Sequence, residues 1–199
     1  MSAPCDSSTF LITLEVKMKI IQLILGLVLL VSAPGFSDQT DARLDVLFDT
    51  LKTSEISGVL QETEVNIWAI WFESGRDEVD RLMEQAGVAV QSGQLPQAEA
   101  MYSRVVKMAP EFSEGWNRRA TVRYYRQDYE GSIEDIRQTL VLEPRHFGAI
   151  WGLGMILGRD RDYSGAITAF ERLLEIKPNS RDAKPRIELL KQELNKSSV

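Results

Sequence analysis

His146 and Cys5 are the only imidazole and the only thiol in the chain, and that scarcity decides most of the chemistry open to it. A zinc site of the Cys/His kind needs about four such ligands, so no metal is expected. A Ser/His/Asp arrangement would have to be built on His146 alone. That residue follows Pro144 in a turn, and a catalytic base also needs a nucleophile and an orienting group in reach, so a structural imidazole is the favoured reading. The sequence has no GxxxxGK[ST] phosphate loop, no HExxH helix and no Gly-rich turn after a strand. Neither catalysis nor a cofactor is expected.

Two other clusters carry chemical potential. Arg118, Arg119, Arg123 and Arg126 crowd into nine residues, and the last three share one helical face, as an anion or carboxylate site would require. The competing expectation is internal pairing with Glu130, Glu134, Asp135 or Glu143, because Arg119 stands in an otherwise apolar slot and is costly there unless paired. Pairing is favoured. Trp68 and Trp71, with Ile67 and Phe72, make an aromatic cluster that serves either as an anchor for a partner or as a cover for the open end of the first repeat described below. The cover is favoured, since an uncapped array exposes its own core.

The elements that must position these residues show themselves through a period. Pro110, Pro144 and Pro178 stand 34 residues apart. The same step relates Leu82, Trp116 and Ile150, then the small residues Ala86, Ala120 and Gly154, then Leu95, Tyr129 and Tyr163. It continues through Ala98, Ser132 and Ala166, and through Tyr102, Ile136 and Phe170. Each unit reads as two helices joined by a turn, with apolar residues at helical spacing and a proline ending the second helix by removing a hydrogen bond and clashing with the preceding turn. Small residues at 86, 120 and 154, and at 98, 132 and 166, let the paired helices approach closely. At the first turn Gly93 is replaced in the later units by Gln127 and Arg161.

The period and the large, small, small, aromatic, proline order resemble the tetratricopeptide repeat (TPR) family over residues 79 to 180. The fold implied is all-α: a right-handed superhelical solenoid of helical hairpins with N- and C-terminal capping helices. Repeats are expected at 79–112, 113–146 and 147–180. Residues 38–78 are expected to form an N-terminal helical cap or degenerate repeat, and 181–199 a C-terminal capping helix and tail presenting Ile187, Leu190 and Leu194 on one face. In that family the first helix of each hairpin lines a concave groove. Carried over, the lining is Met83, Val90, Asn117, Thr121, Tyr124, Tyr125, Trp151, Met155 and Arg159. Met83, Gly87 and Gly148 stand where a Lys and Asn cradle for a C-terminal carboxylate would be, so that mode of binding is disfavoured. Tyr124 and Trp151 are left with two readings, contacts for a client or packing within the array.

Composition fits a protein partner better than a nucleic acid. The 199 residues are 44% apolar and carry a formal charge of −6, whereas phosphate neutralisation needs clustered basic residues in excess. At the N-terminus, Lys17 and Lys19 precede the fourteen apolar-rich residues from Ile20 to Ala33, followed by Pro34, Gly35, Phe36 and Ser37. This is the layout of a secretory signal. Fourteen helical residues reach about 21 Å, short of the ~30 Å hydrocarbon core, so cleavage is favoured over an anchor. Small residues at 35 and 37 place the cut before Asp38, and the acidic Asp6 and Glu15 point to Met18 as the true start, with residues 1–17 an over-extension. No cysteine follows the apolar run, so lipoprotein-type attachment is not available.

The expected function is an exported, periplasmic or secreted, interaction module resembling small secreted TPR proteins of Gram-negative bacteria. It binds a protein or peptide client, with no nucleic acid and no stable membrane insertion after cleavage. The alternative is a structural or assembly subunit of a cell-envelope complex. N-terminal sequencing of the protein exported by a Gram-negative host is expected to begin near Asp38; a mature product retaining residues 20 to 33 would replace the cleaved signal with an anchor.

Overall fold

A computed structural model describes residues 39–197. The export signal expected over residues 1–37 lies outside the described residues. Among the described residues there are nine helices and no strand. An N-terminal pair, α1 (Arg43–Thr53) and α2 (Ser57–Phe72), precedes three hairpins. These are α3 (Asp77–Gln91) with α4 (Leu95–Met108), α5 (Ser113–Tyr125) with α6 (Tyr129–Leu142), and α7 (Phe147–Arg159) with α8 (Tyr163–Ile176). A final helix, α9 (Ala183–Ser197), packs on α8. Each hairpin also packs on the next, through α4 on α5 and α6 on α7, so the body is an all-α repeat solenoid.

The repeated side chains explain why the hairpins close. Tyr102, Ile136 and Phe170 are all buried, each on the second helix of its pair. In the third pair the Phe170 ring presses so near α7 that a Cβ on Gly154 would lie 2.7 Å from it. The small residue that the period repeats is therefore a clearance. Asp128 and Asp162 start α6 and α8 by accepting from the backbone N–H groups of Gly131 and Gly165, which satisfies donors that a helix start leaves open.

The first two helices do not close the end of the first repeat, as the sequence led one to expect. They fold back along the edge of the array where second helices end and first helices begin. Gln39 bonds to the backbone of Glu111 and Ser113 in the first inter-repeat turn, Arg145 of the second turn pairs with Asp45 at 2.7 Å, and Asn179 of the third donates to the Ser54 carbonyl. Lys177 adds an ion pair with Glu64. The physical reason lies in what each surface needs. The outward face of α3 is mostly polar, with exposed Glu78, Arg81, Glu84 and Gln85 beside Val88, whereas the Phe147 side chain and the face of the His146 ring are surfaces that gain from cover.

Trp71 supplies that cover and is fully buried, stacked on the His146 ring at 4.1 Å and 9°. Trp68 meets Phe147 edge-on. Burial leaves the Trp71 indole N–H without a hydrogen-bond partner, a cost of about 1–3 kcal/mol. An indole hides some 150–250 Å² at about 25 cal/mol per Å², or roughly 4–6 kcal/mol, so ring burial wins.

The turn inside each hairpin needs a left-handed residue. Gly93 has φ +72°, and its counterparts Gln127 and Arg161 adopt φ 66° and 63°. A side chain at such a φ costs about 1–2 kcal/mol, partly offset because glycine loses more freedom on folding. Gln127→Gly and Arg161→Gly are therefore each expected to stabilise by ~0.5–1 kcal/mol, raising Tm by about 2 °C in a circular-dichroism melt. An unchanged or lower Tm would mean the strain is relieved elsewhere.

Candidate functional site

Between α5 and α7, on the face opposite their packing against α6 and α8, the array opens into a hollow of about 270 Å³. Asn117, Thr121, Tyr124 and Tyr125 line it from α5, and Trp151, Gly152 and Met155 from α7. Its depth comes from small residues, Ala120, Ala149 and Gly152, which let it reach Ser132 and Ile136 on α6, and Gly148 lines its margin. No lysine, arginine or carboxylate lines it. Gly148 has its own packing reason, since a Cβ there would lie 2.7 Å from the Trp68 ring. Through that contact α2 stands against the hollow's margin.

Six of the nine residues carried over from the family pattern thus meet at one place. Arg159 lies beyond it, in an adjoining depression shared with Tyr124 and Met155, its guanidinium 3.8 Å over the Tyr129 ring and paired with Asp160. The other two belong elsewhere. Met83 is 5% exposed in the core of the first repeat, and Val90 packs against the same cluster, so the first repeat adds nothing to the hollow. Tyr124 and Trp151 pack within the array, Tyr124 edge-on to Tyr125 and Tyr129 and Trp151 against Phe170, and each also lines the cavity. Tyr125, 59% exposed, is the freest of the three rings.

The arginine cluster behind α5 is not an anion site. Arg119 grips the buried Asp135 carboxylate with two bonds at 2.8 and 2.7 Å, and Arg123 reaches the same carboxylate at 3.0 Å and Glu99 at 3.1 Å. Arg126 also pairs with Glu99, and Arg118 with Glu114. Of the four acids anticipated as partners only Asp135 serves; Glu134 turns to Arg137 and Glu143 to Arg145. Glu99, on α4, ties the first repeat to the second.

At the start of α5 sits a wholly buried carboxylate, Glu114. His146 donates to it from Nε2 at 2.9 Å, because Nδ1 is occupied accepting the Ala149 N–H that caps α7. Asn117 donates at 2.8 Å and Arg118 completes the set. Burial is the largest single influence on this carboxyl and pushes its pKa up, but the Arg118 charge, with the hydrogen bonds from His146 and Arg118, outweighs it and holds the group below its ordinary value. Both imidazole nitrogens are engaged in the fold.

A cleft of about 600 Å³ elsewhere lies along the seam between α2 and the turn before α9, with Glu64 and Lys177 paired within it. Among the described residues no group of three or more His, Cys, Asp or Glu is placed to hold a metal ion, and no helix is long and apolar enough to cross a membrane.

A depressed carboxyl pKa gives stability that is complete above the unfolded value and lost as the pH falls through the folded one. Tm is therefore expected to fall as the pH drops below about 4.5, the ordinary value for Glu114. Glu114→Gln is expected to lower Tm at neutral pH and to make this acid-side fall shallower. A variant whose Tm falls with acid as steeply as that of the parent would remove Glu114 from the acid response.

Residues 117–181 match the family model described as tetratricopeptide repeat. The chain is similar to a TPR repeat-containing protein of Rhizobium etli, 32% identical over 158 residues that span 79% of this chain and 78% of that protein. Among solved structures it is similar to the Sgt2 TPR domain from Aspergillus fumigatus, with a TM-score of 0.57 and 24% identity over 62% of this chain and 83% of that one. It is also similar to the Yersinia enterocolitica type III secretion chaperone SycD in complex with a peptide of the translocator YopD, with a TM-score of 0.57 and 14% identity over 60% and 96%. At these identities the two structures establish a shared fold.

Proposed function

The chain belongs to the tetratricopeptide repeat family, and on that premise we propose that it is an exported, non-enzymatic interaction module that holds a protein or peptide client in the α5–α7 groove. The observation that carries this is the hollow itself. Three aromatic rings and a methionine surround an uncharged cavity open to solvent, and aromatic and methionine side chains are the residues enriched where proteins meet. A TPR fold that engages a peptide is also found among the similar structures. Export rests on the signal-like layout of Lys17 to Ser37.

The alternative, an envelope-complex subunit, drew on a Trp pair free to meet neighbours. Trp71 is instead spent inside the fold, which weighs against it.

A photo-crosslinking residue in place of Tyr125 tests the groove in the native envelope. Crosslinks to a discrete partner are expected there and not from the same residue in place of Val141, which is 74% exposed on α6. Equal crosslinking from both positions would mean that the surface is sticky and the groove is not the site.

A further inference from the structure

Four glycines lie on α7, and three of them have a neighbour in the space a side chain would take. A Cβ on Gly148 would meet Trp68 at 2.7 Å, one on Gly154 would meet Phe170 at 2.7 Å, and one on Gly158 would meet Leu190 at 3.2 Å. Gly152 differs. Its nearest neighbour would be Ile136 Cδ1 at 3.5 Å, an ordinary contact, so a larger residue fits and the helix would gain roughly 1 kcal/mol from alanine there. The fold itself does not use the opening at Gly152. That opening is part of the hollow's depth.

We infer that the hollow at Gly152 receives a single aromatic side chain of the client. This inference rests on the α5–α7 groove being the client site. Volume sets the first limit: a benzene ring occupies a cavity of about 150 Å³, so 270 Å³ admits one ring with its stem and not two. Charge sets the second, because no lysine, arginine or carboxylate lines the space and a charged side chain would lose its hydration without a counter-ion. Polarity sets the third. The short polar groups of the walls direct their donors back into the array, Asn117 to Glu114, Thr121 to the Asn117 carbonyl and Ser132 to the Ala120 carbonyl. The two hydroxyl donors and one of the two Asn117 N–H groups are thus spent within the array, so a short polar side chain finds few partners there and a ring is the better match. Tyr124, Tyr125 and Trp151 offer ring faces and edges suited to edge-to-face contact, and Met155 a thioether suited to an aromatic neighbour.

Selection of a displayed library of random 12-residue peptides on the immobilised full chain tests this. The enriched peptides are expected to share one aromatic residue, and its change to alanine in a synthetic copy to weaken binding at least about tenfold. Gly152→Leu, which fills the hollow from α7, is expected to cause a similar loss with Tm and helix content preserved, and Thr121→Phe fills it from α5 should the first variant fold poorly. Enriched peptides with no shared aromatic residue, or a folded filled variant that still captures them, would overturn the inference and leave the groove standing. A preference for leucine at that position would replace the aromatic anchor with an aliphatic one. No enrichment at all would remove the groove and the inference together. Should both filled variants unfold, the change of the shared aromatic residue to alanine in the peptide decides alone.

Discussion

Three parts of the chain meet on the His146 ring. Its face stacks on Trp71 of α2, one nitrogen holds Glu114 of α5, and the other accepts the Ala149 N–H at the start of α7. The separation of α5 from α7 is therefore set at their first turn by a hydrogen bond inside the protein, where water cannot compete. Glu114 remains charged in that position because Arg118 lies beside it and His146 donates to it, and Arg118 in turn sits 4.3 Å over the Phe72 ring and 5.6 Å over Trp68. Removing any member would leave the others desolvated and unpaired, which is why such networks hold one geometry. The groove inherits its width from this joint.

Further along α5 the same principle acts between repeats. Asp135 is fully buried and is held by two arginines, while Glu99 reaches across from α4. Apolar contacts between hairpins are non-directional. The ion network has a fixed geometry and sets how the first repeat sits on the second.

The helices and hairpins were legible because a 34-residue period is a local record of packing, with every large residue answered by a small one a fixed distance away. Arg119 in an apolar slot announced a buried acid, and Asp135 stood among the candidates. Glu99 was missed because it belongs to the preceding repeat, where spacing within one unit gives no hint of it. The N-terminal pair was harder. Counting back 34 from Ala86 and Ala98 puts Lys52 and Glu64 where small residues belong, and Glu64 does not occupy an array slot at all but pairs with Lys177. Nothing local in residues 43–72 says that they lie against turns about a hundred positions away. The groove's face could be carried over from family resemblance and the side chains on α5 and α7 are there, but its depth owes much to missing atoms at Gly152, and a cavity leaves no periodic trace.

The return of α1 and α2 along the array also changes what kind of object the solenoid is. Stacked repeats are quasi-one-dimensional: each touches its neighbours, and order can spread from any point. Here contacts 100 and 125 residues apart, Asp45 with Arg145 and Ser54 with Asn179, close the chain into a loop. Residues 43–72 are made before the array and cannot complete their docking until the third repeat and the turn after it exist. The order of synthesis runs against the order of docking, and Trp68, Trp71 and Phe48 must wait with their rings uncovered while the rest of the array is made.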